Sequence, residues 1–396
     1  MMVEDGTQAG RVLAIKGRYE ARDFSGLIEE ARALHDRHGD ALDPPVREAV
    51  AIMLHNASCV AMEQGPRDKV LELAECAVRY DPASLHALGQ RMYAHLSRGD
   101  YASAWAWESW EPIFRDALPT MWRGGRTDIL LIINSNGLGD FIQYSRFLPA
   151  VRERVGRLIV QVPLNTTALF GQSPFLQGIE FVEPGAGVAC TAICEMMLLP
   201  VMMGAGRPQV TATGAYLRAP PHRLTHWQAL VDGYGDEGRK LTVGVSWGGG
   251  ARRARTLPFE RLLPLFARRD AHFFGLQNHA DKAEIFGRAL PDNFTDMGVF
   301  DAVNLSCLCR CMDVVIAPDM GVAHLSAALG GETWLALPHF AEWRWGMEST
   351  RTDWYPTMRL FRQPEPGDWD GVVEAMAHRL AERARSKTLE GGRALV

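Results

Sequence analysis

The stretch Val314–Gly330, VVIAPDMGVAHLSAALG, decides how the rest of the chain is read. Val314 to Ala317 is short, apolar and partly β-branched, the pattern of a buried strand. Pro318, Asp319 and Gly321 interrupt it. Val322 to Leu329 then has a helical composition, and Gly330 is placed to end that helix. A strand that turns sharply into a helix offers backbone N–H groups with no intrahelical partner. Those groups and the helix dipole suit a phosphate. His324 falls in the first turn as a further donor, and Asp319 sits at the turn itself. The chemical reading places a diphosphate here. The plainer one makes Asp319 the helix N-cap and His324 a ring packed on the sheet.

The neighbouring segments extend the pattern in both directions. Leu241–Ser246 reads as a strand, and Trp247–Arg255 (WGGGARRAR) as a Gly- and Arg-rich loop after it. Leu262–Arg268 reads as a helix, and His272–Leu276 as a strand that ends at Gln277. Asp301–Met312 is a helix leading into the opening strand, and Thr333–Leu337 is the strand that follows. Arg252, Arg253 and Arg255 are phosphate candidates, because a guanidinium meets phosphate through two parallel hydrogen bonds. The alternative is a solvated basic loop. Further on, Trp343, Arg344 and Trp345 either line a sugar or base pocket or act as buried anchors between domains. Asp370–Ala384 reads as a closing helix.

Towards the N-terminus lies a second strand–loop–helix unit. Ile129–Asn134 (ILLIIN) is a buried strand, Asn134–Asp140 (NSNGLGD) a Gly-containing loop, Phe141–Arg154 a helix and Arg157–Val162 a strand. That order predicts a βαβ unit in a parallel sheet, with the loop at the carboxyl end of its strand, where open α/β sheets bind ligands. Asp140 sits where the helix begins. As an N-cap it would gain hydrogen bonds to its charged form and lose basicity. As a general base it would take a proton from an acceptor hydroxyl, a role worth about 10²- to 10⁴-fold in rate. Gly178–Val182 and Met196–Leu199 read as short strands, Gly204–Thr213 and Pro220-Pro221 as loop or linker.

Residues before about 118 read as helical, with Phe24–His38, Pro45–Gln64, Arg67–Tyr80, Ser84–Ser97 and Tyr101–Phe114 carrying apolar residues three and four apart. The run LELAECAVRYDPASLHALGQRMYAHLSRGDYASAWAWESW resembles tetratricopeptide repeats, whose helix pairs stack into a solenoid. Such helices serve either as a docking surface or as a stabilising cap. With 396 residues the chain holds two or three domains. A net charge of -5 argues against a dedicated nucleic-acid binder. No apolar run has the length of a membrane span, and MMVEDGTQAGRV lacks a signal-peptide core, so the expected location is the cytoplasm. Cys307, Cys309 and Cys311 alternate inside a helix without the spacing of a zinc site, and read as small core residues.

Three groups of residues together resemble glycosyltransferase family 9, the heptosyltransferase-like enzymes, in the branch where tetratricopeptide helices precede the transferase. One is Asn136-Gly-Leu-Gly-Asp140 running into Gln143-Tyr-Ser-Arg-Phe-Leu-Pro149. About 180 residues later comes Asp319-Met-Gly-Val-Ala-His324. The third is Trp343-Arg-Trp345, Trp354-Tyr-Pro356 and Arg359-Leu-Phe-Arg-Gln363. The resemblance implies an α/β GT-B architecture: a helical domain at 1–118, an acceptor lobe at 119–222 and a donor lobe at 223–396, the lobes Rossmann-like. It implies inverting sugar transfer from a nucleotide sugar to a hydroxyl of a glycan, a lipid-linked or a protein acceptor. Asp140 matches the catalytic base. Asp319, Gly321, Val322 and His324 match the turn that contacts donor diphosphate and sugar, with Met320 between them, and Ser246 and Trp247 match the position after the first donor-lobe strand. Gly139, Arg252, Arg255 and Gln277 complete the expected donor site, and Asn136, Gln143, Arg344 and Trp345 a sugar or acceptor pocket. No metal or cofactor is expected, the nucleotide sugar being a substrate. Docking of the acceptor on the helices, homo-oligomerisation and a peripheral place at the inner membrane are further expectations. Two departures are visible. Met320 stands where lipopolysaccharide heptosyltransferases usually carry Thr, and their lysine near the donor phosphates has no counterpart, so ADP-heptose is not implied as donor. The alternatives are a non-catalytic helical-repeat scaffold and a nucleotide-sugar epimerase.

Overall fold

The computed structural model describes residues 8–114, 120–211, 214–234, 240–248, 255–278, 280–299 and 301–393. The chain forms two compact units. The first takes the described residues of Met1–Pro119 together with two later segments, Gly204–Arg207 and Phe340–Met347; the second holds the remainder. No helix among the described residues is long and apolar enough to cross a membrane.

The first unit is built of helices at Gln8–Glu20, Phe24–His38, Pro44–Gln64, Val70–Tyr80 and Leu85–Ser97, followed by short ones at Tyr101–Ala104 and Trp107–Phe114. Side chains cap three of them: Asp23 accepts from the Gly26 N–H, Ser84 from Ala87 and Asp100 from Ser103. The expected single helix over Tyr101–Phe114 is broken at Trp105, whose buried ring lies across Tyr101 at 5.2 Å. The helix at Gln8–Glu20 carries too few apolar residues to stand out in sequence; only Ile15 is fully buried. Leu27, Leu34, Leu54, Leu73 and Tyr80 form the core. The Tyr80 hydroxyl donates to the Ala31 carbonyl at 2.6 Å, so its burial leaves no polar group unsatisfied. Phe340–Met347 belongs to this unit by its packing. Trp343 stacks on Tyr93 with centroids 5.6 Å apart, and Arg67 donates to the Ala341 carbonyl while its guanidinium lies 5.4 Å from the Phe340 ring centre.

The second unit contains two parallel sheets. The first has β1 (Thr127–Ile133), β2 (Val155–Gln161), β3 (Glu180–Val182) and β4 (Ala192–Glu195), in the order β3-β2-β1-β4. The second has β5 (Leu241–Val245), β6 (Ala271–Gly275), β7 (Phe294–Asp296), β8 (Val314–Pro318), β9 (Thr333–Leu337) and β10 (Met358–Arg362), in the order β10-β9-β8-β5-β6-β7. Every residue of β5, β6, β8 and β9 is buried, as expected of parallel strands covered on both faces. Trp247, Phe259, Phe266, Phe294 and Trp334 fill the space beside this sheet, and the long helix Trp369–Arg393 adds Val372, Val373, Met376 and Leu380. Burying such side chains contributes roughly 1.5–3 kcal/mol each.

Two Rossmann-like sheets preceded by helices are the expected GT-B class. Details differ. The fourth strand lies at Ala192–Glu195, and Met196–Leu198 is a 3₁₀ turn. Its apolar run lacks the alternation or length that separates strand from helix. Arg207–Thr211 is a helix where loop or linker was expected, and Pro221, the second residue of the expected Pro220-Pro221 linker, opens the helix Pro221–Tyr234 at a position that needs no N–H. The expected boundary at 222/223 therefore falls inside a helix, and that near 118 lies outside the described residues.

Each sheet has one point where the strand order reverses: between β1 and β4 in the first, and between β5 and β8 in the second. Ligands of open α/β sheets bind outside the carboxyl ends of the strands at such points.

Candidate active site

The loop after β1 starts the helix Leu138–Ser145, and the loop after β8 starts the helix Gly321–Ala328. Both loops therefore stand at a reversal point, and the two helices meet. A methyl group on Gly139 would come within 2.9 Å of His324 Cδ2, and one on Gly321 would touch Leu138 at 3.6 Å. Glycine at 139 is what lets the first helix approach the imidazole so closely.

Neither of the two aspartates caps its helix. Gly137 holds the N-cap position before Asp140, so Asp140 lies in the first turn of a helix that begins three residues earlier than expected. Met320, not Asp319, occupies the N-cap before Gly321. The N-cap position itself therefore belongs to neither aspartate. Asp319 is buried, with Oδ2 3.1 Å from Arg255 Nη1 and Oδ1 3.7 Å from His324 Nε2. His324 is buried too, its Nδ1 2.9 Å from the Tyr355 hydroxyl. At its far end the helix closes as expected: Gly330 has φ +81°, its N–H reaches the Ala327 carbonyl, and the Gly331 N–H reaches Ser326.

The end of β5 is braced from β6. Gln277 Oε1 accepts from Ser246 Oγ at 2.5 Å, from the Trp247 N–H at 3.0 Å and from the Gly248 N–H at 2.9 Å. Ser246 Oγ also lies 3.2 Å from Met320 Sδ. Ser246, Gln277 and Met320 therefore hold the β5 and β8 loops together. Trp247 and Gln143 are fully enclosed. The Trp247 ring packs edge-on to Phe259 in the core, so only its backbone can meet a ligand. Gln143 faces inward from its helix and does not line an open pocket. Asn136 is exposed. Arg344 and Trp345 pack with the helical unit, Arg344 over the Trp343 ring at 4.7 Å and paired with Glu342. They were expected in the donor lobe. Arg252 lies outside the described residues.

Sequence reasoning missed Glu195. It ends β4, across the reversal point from the loop that carries Asp140. Its Oε1 accepts from Asn136 Nδ2 at 3.0 Å, and its Oε2 from the Met197 N–H at 2.6 Å. Burial pushes this carboxyl above the ordinary range, and the nearby Asp140 charge adds to it, against the hydrogen bonds from Met197, Ser135 and Asn136. The available signal was a lone Glu at the end of a short apolar run, hidden by the misplaced strand. Tyr355 and Arg146 were visible as motif members with no role attached.

No protein-family model matches the chain. It is similar to Protein FlbA of Caulobacter vibrioides, 25% identical over 384 residues; the match covers 84% of this chain and 61% of that protein, so the chain spans less than two thirds of its length. Among solved structures it is similar to a glycosyl transferase family 9 protein from Veillonella parvula, at 11% identity, covering 69% of this chain and 100% of that one with a TM-score of 0.47. It is also similar to the ADP-heptose lps heptosyltransferase II of E. coli, at 10% identity, covering 66% and 99% with a TM-score of 0.48.

Proposed function

We propose that the chain is an inverting glycosyltransferase, which moves a sugar from a nucleotide-sugar donor to a hydroxyl of an acceptor. The observation that carries this is the meeting of two strand-to-helix loops, each at the reversal point of its own sheet. One bears Asp140, and the other bears Asp319 and His324 with Arg255 beside them. In this reading the donor diphosphate rests on the start of the Gly321–Ala328 helix. Asp140 takes the proton as the acceptor oxygen bonds to the anomeric carbon. The anomeric carbon–oxygen bond to the diphosphate breaks, and its electrons stay on the phosphate oxygen. The helix start, Arg255 and His324 meet the growing negative charge without reorganising. The reading invokes no metal or cofactor.

The similar E. coli protein is named for ADP-heptose. Met320 in place of a hydroxyl residue leaves the donor sugar here open between hexose and heptose. The acceptor is a glycan, a lipid-linked sugar or a protein, docked by the tetratricopeptide-like helices of a homo-oligomer working in the cytoplasm at the inner membrane face. The test is a thermal-shift panel of nucleotide sugars, followed by product analysis with the best binder. A ligand at a hundred times its Kd adds about 2.7 kcal/mol. Stabilisation followed by sugar transfer supports the reading. A donor isomerised without acceptor would identify an epimerase, and the absence of any binder would leave a scaffold.

A further inference from the structure

Arg146 and Tyr355 belong to two motifs that the reading above leaves without a task, and the structure closes these motifs on each other. Arg146 is 4% exposed. Its guanidinium carbon lies 5.3 Å from the ring centre of Tyr216, 5.0 Å from Trp354 and 5.0 Å from Tyr355. Its Nε donates to the Gln143 carbonyl at 2.8 Å, Nη1 to the Val210 carbonyl at 2.8 Å and Nη2 to the Tyr216 hydroxyl at 3.4 Å. A cation enclosed by three rings and held by two carbonyls is fixed in place, and it fixes the rings around it.

The proton directions in this cluster follow from which atoms can only accept. The Tyr216 hydroxyl is 2.8 Å from the Ile142 carbonyl, so its own proton is committed there. Its oxygen accepts from Arg146 Nη2. The Tyr355 hydroxyl is 2.9 Å from His324 Nδ1 and 3.5 Å from the Tyr216 oxygen. Either group can donate across the 2.9 Å contact, so the surroundings of the other ring nitrogen decide its direction. In a neutral imidazole one ring nitrogen carries the proton and the other accepts. Nε2 faces Asp319 Oδ1 at 3.7 Å. A carboxylate on that side favours an N–H over a bare lone pair, and a phosphate would do the same.

We propose that Tyr355 is a positioning residue for His324. By donating to Nδ1 it locks the imidazole in the Nε2–H form, so the ring meets the departing diphosphate as a hydrogen-bond donor. Arg146, packed against its ring, holds Tyr355 in that role. The proposal rests on the glycosyltransferase reading for its use, though not for the tautomer itself.

The test compares wild type, Tyr355→Phe and Tyr216→Phe in protein labelled with ¹⁵N-histidine, with His324→Gln to assign the resonances. Long-range ¹H–¹⁵N spectra report the tautomer. Binding of ADP, GDP, UDP and dTDP reports the site, and kcat for sugar transfer its use. The expected result is a pure Nε2–H pattern for His324 in wild type and Tyr216→Phe, a mixture in Tyr355→Phe, and at least about tenfold lower kcat in Tyr355→Phe alone. An unchanged tautomer in Tyr355→Phe overturns the proposal. Equal loss in Tyr216→Phe also overturns it, since general loosening would then explain the effect. If the tautomer responds as expected but no diphosphate or nucleotide sugar binds even to wild type, the transferase reading falls while the hold of Tyr355 on His324 stands.

Discussion

Asp140 stands in the first turn of its helix, with Gly137 at the cap. Replacing it with Asn keeps the shape and removes the base. Turnover should fall about 10²- to 10⁴-fold, while donor affinity by calorimetry stays within about twofold. Equal loss of both would make Asp140 structural. Gly139 gives a complementary probe. An alanine methyl would sit 2.9 Å from His324 Cδ2, so the imidazole or the helix must shift. Gly139→Ala should lower kcat by about 10- to 100-fold, with the circular dichroism spectrum of wild type. At this scale the sequence was readable for position: Asp140, Asp319 and His324 lie at strand-to-helix turns, as their motifs indicated. It was not readable where burial decides the role. Nothing in the local pattern tells that Trp247 and Gln143 turn inward, because either would suit a sugar pocket equally well.

The strand that carries Glu195 shows the same limit for elements. Strand–turn–helix units such as Val314–Gly330 were legible, since an apolar run, a breaker and a closing glycine leave little choice. β4, β7 and β10 were not, because β4 and β7 are only 4 and 3 residues long and Arg359 and Arg362 interrupt the apolar run of β10. The Glu195 site makes a prediction at this scale. Its carboxyl is held up in the fold by burial, so the native state keeps a proton that the unfolded chain releases. Stability therefore falls as pH rises from the unfolded carboxylate pKa of about 4.3 through the raised native value. Glu195→Gln lacks this term. Its stability relative to wild type should rise over that window, as a series of melting curves from pH 4.5 to 7 would show. Parallel curves would mean that Glu195 is no harder to ionise than in water.

For the whole molecule, the assignment of Phe340–Met347 to the helical unit is the arrangement that sequence could least supply. Its Trp-Arg-Trp run read equally as ligand chemistry or as buried anchors, and Trp343 stacks on Tyr93. Trp343 is 6% exposed. Trp343→Ala should cost about 3–5 kcal/mol, and limited proteolysis should cut at or near the segment much faster than in wild type. The same arrangement bears on synthesis. A domain at the start of a chain ordinarily finishes folding while the ribosome is still translating the rest. Here the stack of Trp343 on Tyr93 cannot form until Trp343 has been made. At ~5–20 residues per second that interval is on the order of tens of seconds. Through it, the nascent helices wait for a contact that only a late part of the message can supply.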